Sequence, residues 1–335
     1  MFLSFLYRLI FAFSVIFFLA ACVSSEVSVT DHTVNSHEFI LKADPSGGLN
    51  RWLDFGENNE SVSAVSLSTD GRFLAFGGDD PYVALWDQNT MTRLQRLKTS
   101  NRWINAIAFS NNSEIIAVAG DSNDIELFDR ASGTLIFRLR GHRGGVKSIS
   151  FYKDDRMLVS GSLDRTVKVW NLESGLPIKT LRGHTDSVNA VSVTDDTALI
   201  ASGSSDGSVR IWSTEDGTVL KTLRDHEWHV LSVDFAEDNQ TLASGGGDNT
   251  VRLYNARTGE LLETFSKHRS AVNSVIFAGD LLVTGSKDGS CHLWTYRSAE
   301  HLRQEVIPKN ERITMIAFAH ENMAIAGSDG AWLAT

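Results

Sequence analysis

A pattern that returns every 42 residues constrains the fold of this chain more than any other sequence feature. Residues 141–171 open with Gly-His, continue with alternating apolar positions and end in Trp-Asn. The pattern returns over residues 183–213 and, with Asp-His at its start, over residues 225–255. One position of the pattern is always a β-branched apolar residue: Val62, Ile104, Val146, Val188, Val230 and Val272. Six matches at one spacing indicate a repeated structural unit.

Each unit is predicted to form four short β-strands. In the unit that starts at Gly141, strands are predicted over residues 146–151 and 157–160, and a third ends at Asn171. Apolar stretches between the units supply a fourth strand: residues 134–139, 177–181, 219–223 and 261–265. This unit length with Gly-His and Trp-Asp punctuation is typical of β-propellers. Over roughly residues 48–335 the chain resembles the WD-repeat (WD40) family, which implies an all-β, seven-bladed propeller.

The last of the seven units stops after its third strand. The units span residues 61–87, 102–129, 142–171, 184–213, 226–255, 268–295 and 313–335. An unpaired sheet edge is a liability, and residues 49–55 form a predicted fourth strand without a unit of its own. By resemblance to the family, we expect this strand to pair with the C-terminal unit and close the ring. Residues 39–42 compete with residues 332–335 for the third strand there, and Trp332 aligns with the core position of Val167.

The N-terminal 21 residues are predicted to be a bacterial lipoprotein signal peptide. One cation, Arg8, precedes an apolar run that ends in Leu-Ala-Ala before Cys22. This ending resembles a lipobox, which implies cleavage before Cys22 and acylation of that cysteine. An uncleaved signal anchor is the alternative, because about 20 apolar residues can span a bilayer. We expect residues 22–38 to be a flexible tether, with an extra edge strand as the alternative, and residues 39–335 to be the propeller.

Composition and motifs exclude several classes of partner and chemistry. The formal net charge is −10, and an acidic surface repels phosphate backbones, so we expect no nucleic-acid partner. Two cysteines cannot build a disulfide framework, and Cys291 falls at a valine position of the repeat, where a buried thiol is expected. The chain has neither a P-loop nor a dinucleotide fingerprint, and no cofactor is expected.

Histidine, aspartate, a hydroxyl residue and an aromatic residue recur together in units three to six. The four sets are His142, Asp164, Ser160 and Trp170; His184, Asp206, Ser202 and Trp212; His226, Asp248, Ser244 and Tyr254; His268, Asp288, Thr284 and Trp294. Each set resembles a hydrolase triad, but it repeats with the fold. The WD40 resemblance implies a structural chain from Asp through His and hydroxyl to indole. One histidine per unit is too few for a shared metal ion, so we predict no catalytic or metal-binding residue.

Residues that depart from the repeat on the loops before each unit are the candidates for binding. In this family, partners most often dock on the face that carries these loops. The candidates are Trp103, Trp228, Arg102, Arg143, Arg269 and Lys287. Exposed Trp and Arg are enriched at interface hot spots. The alternative is that both indoles pack against neighbouring loops and that the cations are ordinary solvated surface.

The sequence therefore predicts a non-catalytic scaffold for protein–protein interaction, held by lipid in a bacterial cell envelope. Val23 follows the cysteine where the inner-membrane retention signal typically has Asp, so the resemblance favours the outer membrane, facing the periplasm. Two alternatives remain at this point. The same tryptophans could bind a ligand or cell-wall polymer, or an enzyme site could lie at the mouth of the channel, although no cluster of acids or imidazoles outside the repeat supports the latter.

Overall fold

The computed structural model describes residues 51–53, 61–90, 92–306, 312–319, 322–327 and 330–334. The predicted signal peptide, Cys22, the tether and residues 39–42 lie outside the described residues. Within the described part, every regular element is a β-strand, and the strands form seven four-stranded antiparallel sheets. The prediction of an all-β chain built from repeated four-stranded units is confirmed.

The sheets are numbered 1 to 7 along the chain, and sheets 1 to 6 each take their strands in sequence order from first to fourth. The strand bounds are Arg51–Leu53 (β1); Val62–Leu67, Phe73–Gly78, Tyr82–Asp87 and Thr92–Lys98 (β2–β5, sheet 1); Ile104–Phe109, Ile115–Gly120, Ile125–Asp129 and Leu135–Leu139 (β6–β9, sheet 2); Val146–Tyr152, Met157–Ser162, Thr166–Asn171 and Leu176–Arg182 (β10–β13, sheet 3); Val188–Val193, Leu199–Ser204, Val209–Ser213 and Val219–Leu223 (β14–β17, sheet 4); Val230–Phe235, Thr241–Gly246, Val251–Asn255 and Leu261–Phe265 (β18–β21, sheet 5); Val272–Ala278, Leu281–Ser286, Ser290–Thr295 and Glu300–Val306 (β22–β25, sheet 6); and Ile313–Ala319, Asn322–Gly327 and Gly330–Ala334 (β26–β28, sheet 7). In sheet 7 the fourth strand is β1.

Burial decreases from the second strand of each sheet to the fourth. Strands β3, β15 and β19 are buried at every position, because neighbouring sheets cover both of their faces. Strands β9 and β21 are exposed everywhere except at their last residues, Leu139 and Phe265. The core therefore lies around the second and third strands, and the fourth strands form the perimeter.

Successive sheets contact each other through their first strands, and β26 of sheet 7 contacts β2 of sheet 1. At four of these junctions, a side chain of one first strand donates to a backbone carbonyl oxygen of the neighbouring first strand. The donors and the carbonyl oxygens that accept are Asn105 and Val146 (3.1 Å), Asn189 and Val230 (2.9 Å), Asn273 and Ile313 (2.7 Å), and Thr314 and Val62 (2.8 Å). The last of these bonds joins the C-terminal sheet to the N-terminal one.

The β-branched position of the repeat packs against a small residue in the preceding sheet. A Cβ built on Gly203 would lie 2.6 Å from Cγ1 of Val230, and one built on Gly161 would lie 2.7 Å from Cγ1 of Val188. The same close approach recurs at Gly77, Gly245 and Gly285. Glycine in the second strand thus lets each sheet approach the next, and this contact explains why the sequence keeps a β-branched residue at a constant step.

The strand predicted within residues 49–55 is β1, and it pairs antiparallel with β28, with Trp52 opposite Trp332. The third strand of sheet 7 is β28, which contains residues 332–334. The predicted alignment of Trp332 with Val167 is wrong by one residue. Ala331 lies opposite Ala326, as Val167 lies opposite Gly161 in sheet 3. The reason is that pairing in sheet 7 continues to Gly327 and Gly330, which shortens the turn.

We predict that Gly203→Ala lowers the free energy of unfolding by about 1–3 kcal/mol, because the new methyl group overpacks the junction of sheets 4 and 5. Urea unfolding measures the loss. The control is the double variant with Val230→Ala, which removes the methyl group that the new Cβ would meet. Its cost should be smaller than the sum of the two single costs. Additive costs would contradict the packing described here.

Candidate functional site

The antiparallel order brings two kinds of loop to the same end of every sheet. Because the strands alternate in direction, the loop before each first strand and the turn between the second and third strands lie together. We call this end the loop face. The recurring histidines lie in the former loops and the recurring aspartates in the latter turns, so the topology brings each His-Asp pair together.

Sheets 3 and 4 contain a complete buried chain of hydrogen bonds. In sheet 3, Nδ1 of His142 lies 2.8 Å from Asp164, Nε2 lies 2.7 Å from the Ser160 hydroxyl, and the Trp170 indole donates to that hydroxyl at 2.8 Å. In sheet 4 the corresponding distances are 2.9, 2.7 and 2.8 Å, for His184, Asp206, Ser202 and Trp212. Both chains join the loop before the sheet to its second and third strands.

Donor chemistry gives this chain a single direction. The indole N–H can only donate and an ionised carboxylate can only accept. In sheet 3, Trp170 therefore donates to Ser160, Ser160 donates to Nε2 of His142, and Nδ1–H of His142 donates to Asp164. The direction from serine to Nε2 holds for a neutral imidazole. The serine proton is then committed to the histidine, and one of the two serine lone pairs is committed to the indole.

The pKa values of these groups agree with that direction. Burial by itself would raise the pKa of Asp164, but the hydrogen bonds from His142 and Thr166 outweigh it and hold the pKa below its usual range. The pKa values of Asp206 and Asp248 are lowered in the same way. Burial lowers the pKa of His268 to about 4. At neutral pH these carboxylates are ionised and His268 is neutral.

Sheet 5 lacks the last link of the chain. His226 contacts Asp248 at 3.0 Å and the Ser244 hydroxyl at 2.7 Å. The Tyr254 side chain is fully buried, and its hydroxyl, which lies near Ser244 and Asp225, makes no hydrogen bond of ordinary geometry to a described residue. Instead, Arg252 donates to Asp248 at 2.7 Å. Tyrosine in place of tryptophan therefore leaves the serine without the donor that it has in sheets 3 and 4.

In sheet 6 the chain of hydrogen bonds differs from the prediction at the link between the histidine and the aspartate. Nδ1 of His268 lies 3.0 Å from the Ser290 hydroxyl and 3.8 Å from Asp288. The expected direct hydrogen bond from His268 to Asp288 is therefore wrong, because the Ser290 hydroxyl lies between them and donates to Asp288. The other links are present: His268 lies 2.8 Å from the Thr284 hydroxyl, to which Trp294 donates at 3.0 Å.

Two further histidines adjoin this site and were missed in the sequence. Nδ1 of His292 lies 2.7 Å from Nε2 of His301, and its ring stacks on Trp294 and meets the edge of His268. Burial, and then the two neighbouring histidines, lower the pKa of His292 to about 4. Within the described residues, no group of three metal-ligating side chains is arranged to hold a metal ion. The available signal was that His292 occupies the repeat position of Lys168.

The predicted binding residues lie on the loop face and are exposed. Trp103 is 55% and Trp228 is 63% exposed, so neither indole is packed away against neighbouring loops. The four predicted cations are also exposed, and none forms an ion pair with another described residue: Arg102, Arg143, Arg269 and Lys287.

The network aspartates also fix the loops that present these side chains. The backbone N–H of Arg143 donates to Asp164 at 2.9 Å, and that of Arg269 donates to Asp288 at 2.6 Å. The residue after each histidine is therefore held by its backbone, while its side chain points outward. In sheet 2, a different carboxylate, Asp121, accepts from the backbone of Arg102 and Trp103.

Trp228 borders a shallow open depression of about 260 Å³ between the loops of sheets 4 and 5. Its other lining residues are Ser205, Asp206, Gly207, Glu227 and His229. Glu227 and His229 were not among the predicted binding residues. Glu227 follows His226 directly, at the repeat position of Arg143, so comparison of that position across the units was the signal that could have found it.

The chain belongs to the WD40 family. The family model described as "WD domain, G-beta repeat" matches six segments that together cover more than half of the chain: residues 53–87, 91–129, 133–171, 175–213, 217–255 and 259–295. The resemblance inferred from the repeat is thereby confirmed, and the repeated four-stranded sheets are those expected of a WD40 propeller. WD40 repeats generally mediate protein–protein interactions. No curated protein matches the chain.

We predict that Ser202→Ala lowers the free energy of unfolding more than Ser244→Ala does. The expected difference between the two losses is about 1–3 kcal/mol, the cost of one additional buried group without a partner. Loss of the Ser202 hydroxyl leaves both Nε2 of His184 and the indole N–H of Trp212 without a partner. Loss of the Ser244 hydroxyl leaves only Nε2 of His226, because sheet 5 has no indole donor. Urea unfolding of the two variants provides a matched comparison, and equal losses would contradict the one-way chain.

Proposed function

We propose that this protein is a non-catalytic scaffold, a closed seven-bladed WD40 propeller that binds a protein partner on its loop face. The observation that carries the proposal is the exposure of Trp103 and Trp228 on loops whose backbone N–H groups donate to the carboxylates of Asp121 and Asp248. Rigid loops that present exposed aromatic side chains lose little conformational entropy when they bind. Such side chains are the usual hot spots of an interface.

Closure of the ring is supported by three contacts across the junction of the chain ends. The first strands of sheets 7 and 1 touch, Thr314 donates to the carbonyl oxygen of Val62, and β1 pairs with β28. In addition, Ala324 and Ala326 belong to one apolar cluster with Leu74. A ring closed by one strand from the other end of the chain has no unpaired seam.

A scaffold is favoured over an enzyme because the triad-like residues are already committed. The hydroxyl residues Ser160, Ser202, Ser244 and Thr284 have no solvent exposure. A nucleophile must reach its substrate, and its base must be free to take the proton. In sheets 3 and 4 the serine hydroxyl is occupied on one side by histidine and on the other by indole.

The proposal includes attachment to the outer membrane of a bacterial envelope through lipid on Cys22, with the propeller in the periplasm. Its support is the sequence of residues 1–22, in which one cation, an apolar run and small residues precede the cysteine. Two or more acyl chains hold a protein stably on a bilayer. In the described part of the chain, no helix is long and apolar enough to cross a membrane.

Loss of either indole should weaken capture of the partner. We expect Trp103→Ala and Trp228→Ala each to reduce the amount of cross-linked complex recovered from envelope extracts, since truncating a hot-spot residue costs about 2 kcal/mol or more. The matched control is Leu176→Ala. Leu176 is 62% exposed but lies on a perimeter strand. Complexes that survive both tryptophan changes and disappear with Leu176→Ala would place the partner on the perimeter instead.

Lipid attachment has a direct test in metabolic labelling. Wild-type protein should incorporate radioactive palmitate and sediment with outer-membrane vesicles, whereas Cys22→Ala should do neither, because the acylated thiol is gone. The second cysteine supplies the control, since Cys291 is fully buried and Cys291→Ala should be labelled like wild type. Equal labelling of Cys22→Ala and wild type would refute the anchor.

A further inference from the structure

The depression beside Trp228 has a different charge from the rest of the predicted binding face. Its only charged lining residues are Asp206 and Glu227. At the position after the network histidine, sheets 3, 4 and 6 carry Arg143, Thr185 and Arg269. Glu227 is the only acid at this position in sheets 3 to 6. The part of the loop face around this depression is therefore acidic, and an exposed indole lies within it.

The carboxylates of Asp206 and Glu227, which line the depression, differ in solvent exposure and in hydrogen bonding. Asp206 is almost fully buried and bonds to His184 at 2.9 Å and to the backbone N–H of Thr185 at 2.9 Å. It contributes negative charge but has little free surface. The Glu227 side chain is exposed, and its carboxylate makes no hydrogen bond to any described residue. The backbone of Glu227 is held by Asp248 at 3.1 Å, so its carboxylate is free to meet a ligand.

The imidazole in the lining also presents an acceptor. Nδ1 of His229 lies 2.7 Å from the carbonyl oxygen of Ser205. A carbonyl oxygen can only accept, so Nδ1 carries the proton, and in the neutral ring Nε2 presents a lone pair. The face of an indole ring is also electron-rich. Carboxylate, imidazole lone pair and indole face all favour a ligand that is positively charged and rich in N–H donors.

We propose that the depression beside Trp228 receives a lysine or arginine side chain of the protein partner. The ammonium or guanidinium group lies against the Trp228 indole and forms an ion pair with Glu227. This inference rests on the proposed function, because it assigns a chemistry to one part of the loop face. It also orients the partner, since Arg102, Arg143 and Arg269 in other sheets would repel a second cationic segment.

A sugar of a cell-wall polymer is the competing occupant, because indoles also stack on sugar rings. The lining favours the cation. A sugar hydroxyl is both donor and acceptor, whereas the two carboxylates of this lining only accept and the free Nε2 of a neutral His229 also accepts. The test therefore includes a glycan probe, and binding of that probe in the depression would overturn the proposal.

The experiment is fluorescence anisotropy of labelled probes with the full chain. The probes are an Arg-Gly repeat hexapeptide, a Glu-Gly repeat hexapeptide of the same length and a hexamer of β-1,4-linked N-acetylglucosamine. We expect the arginine peptide alone to bind. Its affinity should fall as salt rises from about 0.05 to about 0.5 M, because exposed charges are screened. Failure of the arginine peptide to bind, or tighter binding of either other probe, would overturn the proposal.

Variants locate the binding site of the arginine peptide. Trp228→Ala should weaken binding about tenfold, and Glu227→Gln about threefold, as expected for a cation–π contact and an exposed ion pair. Both side chains are exposed, and thermal unfolding of each variant checks that the fold is intact. Leu176→Ala, an exposed apolar position on a perimeter strand, is the matched control and should bind like wild type. Equal affinity of Trp228→Ala and wild type, or a loss in Leu176→Ala instead, would overturn the assignment.

The outcome can be separated from the test of the scaffold itself. If partner capture depends on Trp228 but the arginine peptide does not bind, the loop face is the docking surface and the cationic chemistry is wrong. If capture is independent of both tryptophans, the proposed function fails, whatever the peptide does.

Discussion

The structure depends on one contact that is repeated around the molecule, in which a β-branched side chain packs against a glycine in the preceding sheet. The missing Cβ at Gly203 leaves room for Val230, and the same relation holds at Gly77, Gly161, Gly245 and Gly285. Dispersion falls off steeply with distance, so this close approach lets two strongly twisted sheets exclude water between them. A four-stranded sheet has two apolar faces and is not stable alone. It needs a neighbour on each side, which explains why the units occur in series.

The hydrogen-bond chains stabilise the loops at the ends of the sheets. Loops carry unpaired backbone groups, and a loop that must reach from a perimeter strand to the next inner strand has few local partners. In sheets 3 to 5, one carboxylate with little solvent exposure accepts from the histidine and also from the backbone N–H that follows it, as Asp164 does for His142 and Arg143. Consequently, the residue after the histidine has a fixed backbone and an unconstrained side chain. Such a position can change its chemistry without cost to the fold, and here it holds arginine in two sheets and glutamate in another.

Residues at equivalent positions of the repeat do not always form the same hydrogen bonds. His268 has the same partners in the sequence as His142, but Ser290 comes between it and Asp288. The cause is local geometry: a hydroxyl that reaches both groups replaces the direct bond with two hydrogen bonds. Tyr254 shows the converse, because an aromatic residue of similar size fills the space of the indole but does not reproduce its hydrogen bond. The pattern predicts which residue types meet, whereas atomic distances decide which of them bond.

The sequence by itself determined the repeat, the four strands of each unit, the WD40 family and the residues that are buried in the histidine chains. It could do so because a structural role that recurs at every step leaves the same residue at the same spacing. It also identified Trp103 and Trp228 as departures from that pattern. Only the tertiary structure decided that both indoles are exposed, that Glu227 and His229 share a depression with Ser205, and that Ala331 occupies the place expected for Trp332. These features depend on contacts between neighbouring units and on the length of one turn. The sequence pattern of a single repeat specifies neither of them.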